Sequence, residues 1–216
     1  MEQTIPQLVR GAAERFGDRV AVEEPGRRLS FAELAHAGLE AARAFMAAGL
    51  RPGDRVGIWA PNVSEWIVAA IGIQSAGGVL VTLNTRMKGS EAAYVLRKSG
   101  ARWLCTMGEF LGVDYAATLR DQDLPDLERT IVFRSAAEGA QDWGDFLAGA
   151  ADVTESEAVA RLEAVSPGDV SDLIFTSGTT GRPKGVMTAH GQNIRAFETW
   201  SEVVGLREGD RYLIVN

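Results

Sequence analysis

Asp172 to Thr188 reads DLIFTSGTTGRPKGVMT, and this run decides how the rest of the 216-residue chain is interpreted. Asp172 to Thr176 is a short apolar strand, Ser177 to Lys184 a loop, and Gly185 to Thr188 a second strand. The first strand delivers Thr176, Ser177, Thr179 and Thr180, with Gly178, Gly181 and Lys184, into one turn. Glycines let successive backbone N–H groups converge on an anion, hydroxyls add rotatable donors, and lysine adds a full positive charge. These seven residues therefore form a candidate cradle for a polyphosphate. On composition alone, a plain hairpin turn rich in Ser, Thr and Gly reads equally well.

Two better-known phosphate loops do not fit. A Walker A loop needs Gly-Lys-Ser/Thr, but Lys184 follows Pro183 and precedes Gly185. Such a loop also opens a helix, whereas Val186-Met187-Thr188 is strand-like, which removes the helix-dipole contribution to anion binding. No G-x-G-x-x-G run sits at a strand-to-helix turn.

Outward from this run, helical and strand patterns alternate. Thr4 caps a helix carrying Ile5, Leu8, Val9, Ala12 and Phe16, with Gly17 past its end. Arg19 to Glu23 is a strand, Pro25-Gly26 a turn, and Ser30 with Glu33 a capping box opening a helix that runs to Gly49. Strands follow at Arg55 to Ala60, Val79 to Leu83, Arg102 to Thr106 and Thr130 to Phe133. Asn62 is the expected cap of a helix to about Ala76; Ser90 and Glu91 open one ending at Arg97, Lys98 and Gly100. Short helices are expected at Asp142 to Leu147 and Glu155 to Leu162, a helix after His190, and a last strand from Arg211. The alternation predicts an α/β fold, a doubly wound sheet with flanking helices, with ligands at the carboxyl ends of its strands. An apolar strand at Tyr212 to Val215 suggests the N-terminal piece of a larger domain, and leaves an unpaired edge or uncovered apolar surface, either of which invites self-association into a homo-oligomer.

Composition narrows the function classes. The chain is 46% hydrophobic and 24% charged, as globular proteins are, and its 24 glycines point to many tight turns. A net charge of −7 disfavours nucleic-acid binding through a basic surface. The single cysteine, Cys105, excludes an internal disulfide and fits a reducing, cytoplasmic setting. Trp66 to Leu83 is uncharged, but Gly72, Gln74, Gly77 and Gly78 interrupt it, so it reads as helix, turn and strand rather than a membrane span. His190 is read as a polar residue at a helix entrance, His36 as surface, Cys105 as an inert buried thiol, and Trp59, Trp66 and Trp103 as core. Arg86 and Lys88 follow a strand end and are read as an exposed charged loop.

Thr176-Ser177-Gly178-Thr179-Thr180-Gly181-Arg182-Pro183-Lys184-Gly185 resembles the phosphate-binding signature of the adenylate-forming superfamily, the acyl-CoA synthetases and their relatives. Leu29 to Leu34 (LSFAEL) and Gln74 to Arg86 (QSAGGVLVTLNTR) are similar to two upstream motifs of that family, so the resemblance covers nearly the whole chain. It implies an acid–thiol ligase: ATP and a carboxylic acid give an acyl-adenylate and pyrophosphate, and coenzyme A then displaces AMP. In such enzymes the loop holds the β and γ phosphates, with Mg²⁺ sharing their charge. The resemblance also implies that residues 1–216 are the N-terminal portion of the AMP-binding domain. The remaining metal carboxylate, the ribose-binding aspartate, the adenylation lysine and the small lid domain would lie beyond Asn216, leaving the fragment itself inactive. The acid could be fatty, aromatic or sterol-derived. The rival expectation is a noncatalytic phosphate-binding or interaction module.

Overall fold

The computed structural model describes residues 3–134, 137–176 and 183–215. In chain order, α1 (Ile5–Phe16) precedes a hairpin of β1 (Val20–Glu24) and β2 (Arg27–Ser30). Then come α2 (Phe31–Ala47), β3 (Arg55–Trp59), α3 (Ser64–Ser75), β4 (Val79–Thr82), α4 (Gly89–Ser99) and β5 (Trp103–Met107). A small hairpin, β6 (Glu109–Phe110) and β7 (Val113–Asp114), and a 3₁₀ turn at Ala117–Leu119 fill the stretch where the sequence pattern is weakest. The chain continues through β8 (Arg129–Phe133), β9 (Gln141–Asp142), α5 (Trp143–Ala148), a 3₁₀ turn at Gly149–Asp152 and α6 (Glu155–Glu163). It closes with β10 (Val170–Thr176), β11 (Lys184–Ala189) and α7 (His190–Val204).

Seven strands form the main sheet in the order β11-β10-β4-β3-β5-β8-β9. β10, β4, β3, β5, β8 and β9 run parallel, and β11 joins the edge antiparallel to β10. β4 lies on one side of β3 and β5 on the other, which is the strand-order reversal of a doubly wound sheet. Helices cover both faces. Val56 and Trp103 are register partners, as are Gly57 and Leu104, so Trp103 and Gly57 point to opposite sides. On the Trp103 side, Phe45 of α2 stacks on its ring at 5.9 Å. On the other, α4 comes so close that a Cβ on Gly57 would sit 2.9 Å from Leu96.

Local chemistry explains most of the boundaries. Ser30 Oγ accepts from the Glu33 N–H at 3.1 Å while the Glu33 carboxylate accepts from the Ser30 N–H at 2.8 Å, the full capping box of α2. Gly100 ends α4 in the left-handed conformation at φ +63°. Two expectations need correction. The cap of α3 is Val63, not Asn62, and makes no side-chain cap bond. Its role passes to Glu24 of the neighbouring hairpin, whose carboxylate accepts from the Ser64 N–H at 3.3 Å and hydroxyl at 2.7 Å. That Glu24 belongs to a network: Arg134 bonds both Glu24 and the buried Glu65, and Arg27 reaches Glu65 at 2.9 Å.

The second correction concerns 211–215, which form no strand. A strand-like pattern gains nothing without a neighbouring backbone to pair with, and among the described residues none is in position. Tyr212 instead sets its ring edge-on to Trp200 at 5.4 Å, and Leu213, Ile214 and Val215 stay exposed. Among the described residues this segment therefore offers no strand edge, while the uncovered apolar surface expected there is present.

His190, the first residue of α7, is 1% exposed, and its Nδ1 accepts from the Ile5 N–H at 3.3 Å, tying α1 to the start of α7. That bond requires the neutral ring, and burial pulls the pKa from 6.5 down to about 4 against the opposing charge of Asp169. A folded pKa below the unfolded one means the unfolded chain binds the extra proton. Stability should therefore fall as pH drops from about 6.5 towards 4. At about 1.4 kcal/mol per pH unit, the loss between pH 7.5 and 5 is roughly 2 kcal/mol. Urea midpoints should show this extra acid sensitivity in the native protein and lack it in His190→Gln; identical pH profiles would remove the assignment.

α2 and α3 approach closely because small residues face each other, and a Cβ on Gly72 would lie 2.6 Å from the Ala41 Cβ and 3.0 Å from its carbonyl carbon. Gly→Ala in a helix ordinarily stabilises by about 1 kcal/mol. Here the helices must separate, so Gly72→Ala should destabilise by a net of about 1–2 kcal/mol in chemical denaturation. An increase in stability would refute the close contact.

Candidate active site

The site rests on β10 and β11. Their antiparallel register runs from Val170↔Ala189 to Thr176↔Lys184, so the last registered pair sets Thr176 and Lys184 side by side. β10 is itself held in the sheet by parallel pairing of Asp172, Leu173 and Ile174 with Leu80, Val81 and Thr82 of β4. Thr176 is therefore at the carboxyl end of an interior strand, and both Thr176 and Lys184 are exposed. Ser177, Gly178, Thr179, Thr180 and Gly181 lie outside the described residues.

Below the loop, β10 is anchored by a buried polar node. The Asp172 carboxylate takes donors from three sides: Ser171 Oγ at 2.6 Å, the Asn193 amide of α7, and Gln74 Nε2 of α3 at 3.3 Å. Ser171 Oγ also lies 3.0 Å from the Thr188 carbonyl of β11. Burial raises the Asp172 pKa, and the Ser171 and Asn193 bonds oppose it by favouring the charged form. The carboxylate thus links β10 to two helices, and the Ser171 hydroxyl beside it reaches β11.

At the loop end the stems are held by aromatic packing. The Phe175 ring lies over Gly185, where a Cβ would come within 3.1 Å of it, so a side chain at 185 would displace the ring. Tyr94 of α4 sets its ring edge-on to Phe175 at 6.5 Å and 83°, and its hydroxyl donates to the Pro183 carbonyl at 3.1 Å. Sequence reasoning missed Tyr94. The available signal was a tyrosine, whose polar tip needs a partner, among the apolar positions Ala92, Ala93, Val95 and Leu96.

The carboxyl ends of β3 and β5, where the strand order reverses, are filled instead of open. Trp59 stacks on Tyr115 at 4.5 Å and both are buried. Trp59 Nε1 donates to the Asn84 carbonyl at 3.0 Å, and the Tyr115 hydroxyl to that of Thr85 at 3.0 Å. These bonds hold the loop after β4, which carries the exposed Arg86 and Lys88. That loop leaves the same sheet edge as Thr176, because β4 and β10 are parallel neighbours. Two surface cavities among the described residues lie elsewhere: about 690 Å³ at the tip of the β1–β2 hairpin, and about 450 Å³ lined by Arg55, Val79, Arg161 and Val170.

The remaining singled-out residues fall into place. Cys105 is fully buried, which pushes its thiol pKa well up and makes it unreactive. His36 is exposed, Trp59 and Trp103 are core, and Trp66 packs partly buried against it. Among the described residues no helix is long and apolar enough to cross a membrane. No group of three or more His, Cys, Asp or Glu side chains among them could hold a metal ion.

The match to known proteins covers this whole arrangement. A CoA ligase of Rhodococcus jostii (strain RHA1) for a methyl-dioxo-octahydroindenyl propanoyl group is 44% identical over 99% of this chain and 42% of its own length. A Mycobacterium tuberculosis ligase of the same name is 40% identical over 99% of this chain and 42% of its own. The chain thus spans well under half the length of these relatives. Among solved structures, an anthranilate CoA ligase in complex with anthranoyl-AMP superposes with a TM-score of 0.79 at 25% identity, over 93% of this chain and 39% of that one. The fold of an inhibitor-bound N-terminal domain from Mycobacterium tuberculosis is also shared, with a TM-score of 0.76 at 24% identity, over 93% of this chain and 48% of that one. Residues 9–216 match the family described as AMP-binding enzyme, and with the strand–loop–strand at Thr176 and Lys184 in the same span, the chain belongs to that family.

Proposed function

We propose that this protein is an acyl-CoA ligase in which the loop between β10 and β11 holds the polyphosphate of ATP. The observation that carries the reading is the last registered pair of the edge hairpin, which sets Thr176 and Lys184 opposite each other, both exposed, at the end of the strand. In the reaction a carboxylate oxygen of the acid bonds to the α-phosphorus while the bond to the β-phosphate oxygen breaks, releasing pyrophosphate. The thiol of coenzyme A then attacks the acyl carbon and AMP leaves. Negative charge builds on the departing pyrophosphate, and a fixed positive charge beside it lowers that barrier. Lys184 supplies the charge; the hydroxyls of Thr176, Ser177, Thr179 and Thr180 supply donors, and Gly178 and Gly181 allow close approach. Mg²⁺ would enter with the nucleotide and neutralise phosphate charge; the described residues offer no carboxylate set to hold it.

The acid we propose is a fused-ring propanoate of the kind the two relatives are named for. Support comes from their 44% and 40% identity, against 30% for an acyl-CoA synthetase relative of Bacillus subtilis. Assayed as full-length protein, acid-dependent exchange of labelled pyrophosphate into ATP should be strongest with such ring acids and at least tenfold weaker with linear fatty acids. A polypeptide of residues 1–216 alone should give no exchange, because in this reading the other groups of the site lie outside it. A preference for linear acids would withdraw the ring-acid assignment while leaving the ligase reading in place.

Lys184→Ala in the full-length protein should separate the half-reactions. The side chain is exposed, so stability should change by only about 0.5 kcal/mol. Adenylation should slow by about 30- to 1000-fold, as expected for losing about 2–4 kcal/mol of transition-state stabilisation. Thioester formation from preformed acyl-adenylate should be spared, since no phosphate chain remains to hold. Equal losses in both steps would make Lys184 a structural residue.

A further inference from the structure

We infer that Tyr94 is a positioning residue for nucleotide activation, a clamp on α4 that fixes where Lys184 leaves the sheet; this rests on the ligase reading above. The geometry is specific. Tyr94 touches both stems of the loop: its ring meets Phe175, which precedes Thr176, and its hydroxyl bonds the carbonyl of Pro183, which precedes Lys184.

The strand pairing alone leaves the exit stem underdetermined. Registered pairing ends at Thr176↔Lys184, so the Pro183 carbonyl lies one residue beyond the ladder and accepts the hydrogen bond from the Tyr94 hydroxyl there. Proline's ring fixes φ at 183, and a carbonyl pinned from outside the strand fixes the orientation of the peptide that follows. That peptide contains the Lys184 nitrogen, so the direction in which the lysine side chain departs is set from both sides. On the entry stem, Phe175 is held between the Tyr94 edge and the face of Gly185, which restrains the residue before Thr176.

The anchor itself does not move easily. Tyr94 sits in the middle of α4, whose neighbours Ala93, Val95 and Leu96 are buried, and whose Leu96 reaches Gly57 in the centre of the sheet. Charge stabilisation of a leaving group depends on donors held in place before the reaction, since a charge that must be reoriented at the transition state gives back part of its benefit. A misplacement of about 1 Å is enough to weaken it measurably. A tyrosine hydroxyl on a rigid helix, bonded to the Pro183 carbonyl, provides that restraint.

The test is a double-mutant cycle in the full-length enzyme. Tyr94→Phe keeps the ring contact with Phe175 and removes only the hydroxyl. It should lower kcat/KM for ATP in pyrophosphate exchange by about 5- to 10-fold, the size of one neutral hydrogen bond. Thioester formation from preformed acyl-adenylate should be unchanged, and Tm should stay within about 2 °C. If Tyr94 acts through Lys184, the same substitution made in Lys184→Ala should cost less than about 2-fold, because the charge it positions is gone.

An equal cost in both backgrounds, a matching loss in thioester formation, or no loss at all in the native background would each overturn the proposal. Absence of acid-dependent exchange in the native enzyme with every acid would overturn the ligase reading, and the clamp with it. Normal native exchange with an unaffected Tyr94→Phe variant would overturn the clamp alone.

Discussion

Everything at the candidate site hangs on the pairing of β11 against β10. A parallel sheet places successive strand starts at one edge and strand ends at the other, and could not by itself bring a residue that ends one strand next to the residue that begins the next. The antiparallel return does so directly, putting Thr176 and Lys184 opposite each other with a short loop between them. The cost is an edge strand with exposed Val186 and Met187. β10 tolerates this because it is also an interior strand, paired with β4 on its other side.

The pair is secured at both ends by different chemistry. At its foot, the Asp172 carboxylate gathers Ser171, Asn193 and Gln74, joining β10 to α7 and α3 in a buried setting where an unsatisfied charge would be costly. At its head the contacts are aromatic and small: Phe175, Gly185 and Tyr94. Polar bonding is used where water is excluded and the strands are continuous. Ring packing is used where the chain leaves the sheet, beside Thr176 and Lys184. The sheet's reversal point, the usual ligand crevice of such folds, is closed by the Trp59–Tyr115 stack, which props up the loop after β4. Exposed positive charge from Arg86 and Lys88 therefore leaves the same edge as Thr176, even though these residues are more than eighty positions earlier in the chain.

Most local elements, and the family signature of the loop, can be read from the order of residues alone. Thr4, Ser30 with Glu33, Gly100 and the Pro183–Gly185 surroundings of Lys184 act through neighbours within a few residues, so their effects are legible in order. The alternation of helix and strand gave the α/β class for the same reason, and the signature at Thr176 to Gly185 pointed to its family. What failed, or could not be read, depends on partners far along the chain. Val63 replaces Asn62 as the cap of α3 because Glu24, some forty residues earlier, serves the helix end. Residues 211–215 look like a strand, yet strand formation is a property of two backbones, and among the described residues none pairs with this one. His190 became a buried, neutral anchor for α1 only when a segment 185 residues away supplied the donor. Tyr94 is the clearest case: one more tyrosine on an apolar helix face in the sequence, it becomes a clamp on both loop stems only because the sheet brings α4 beside β10, and spatial proximity of that kind has no periodicity in sequence to announce it.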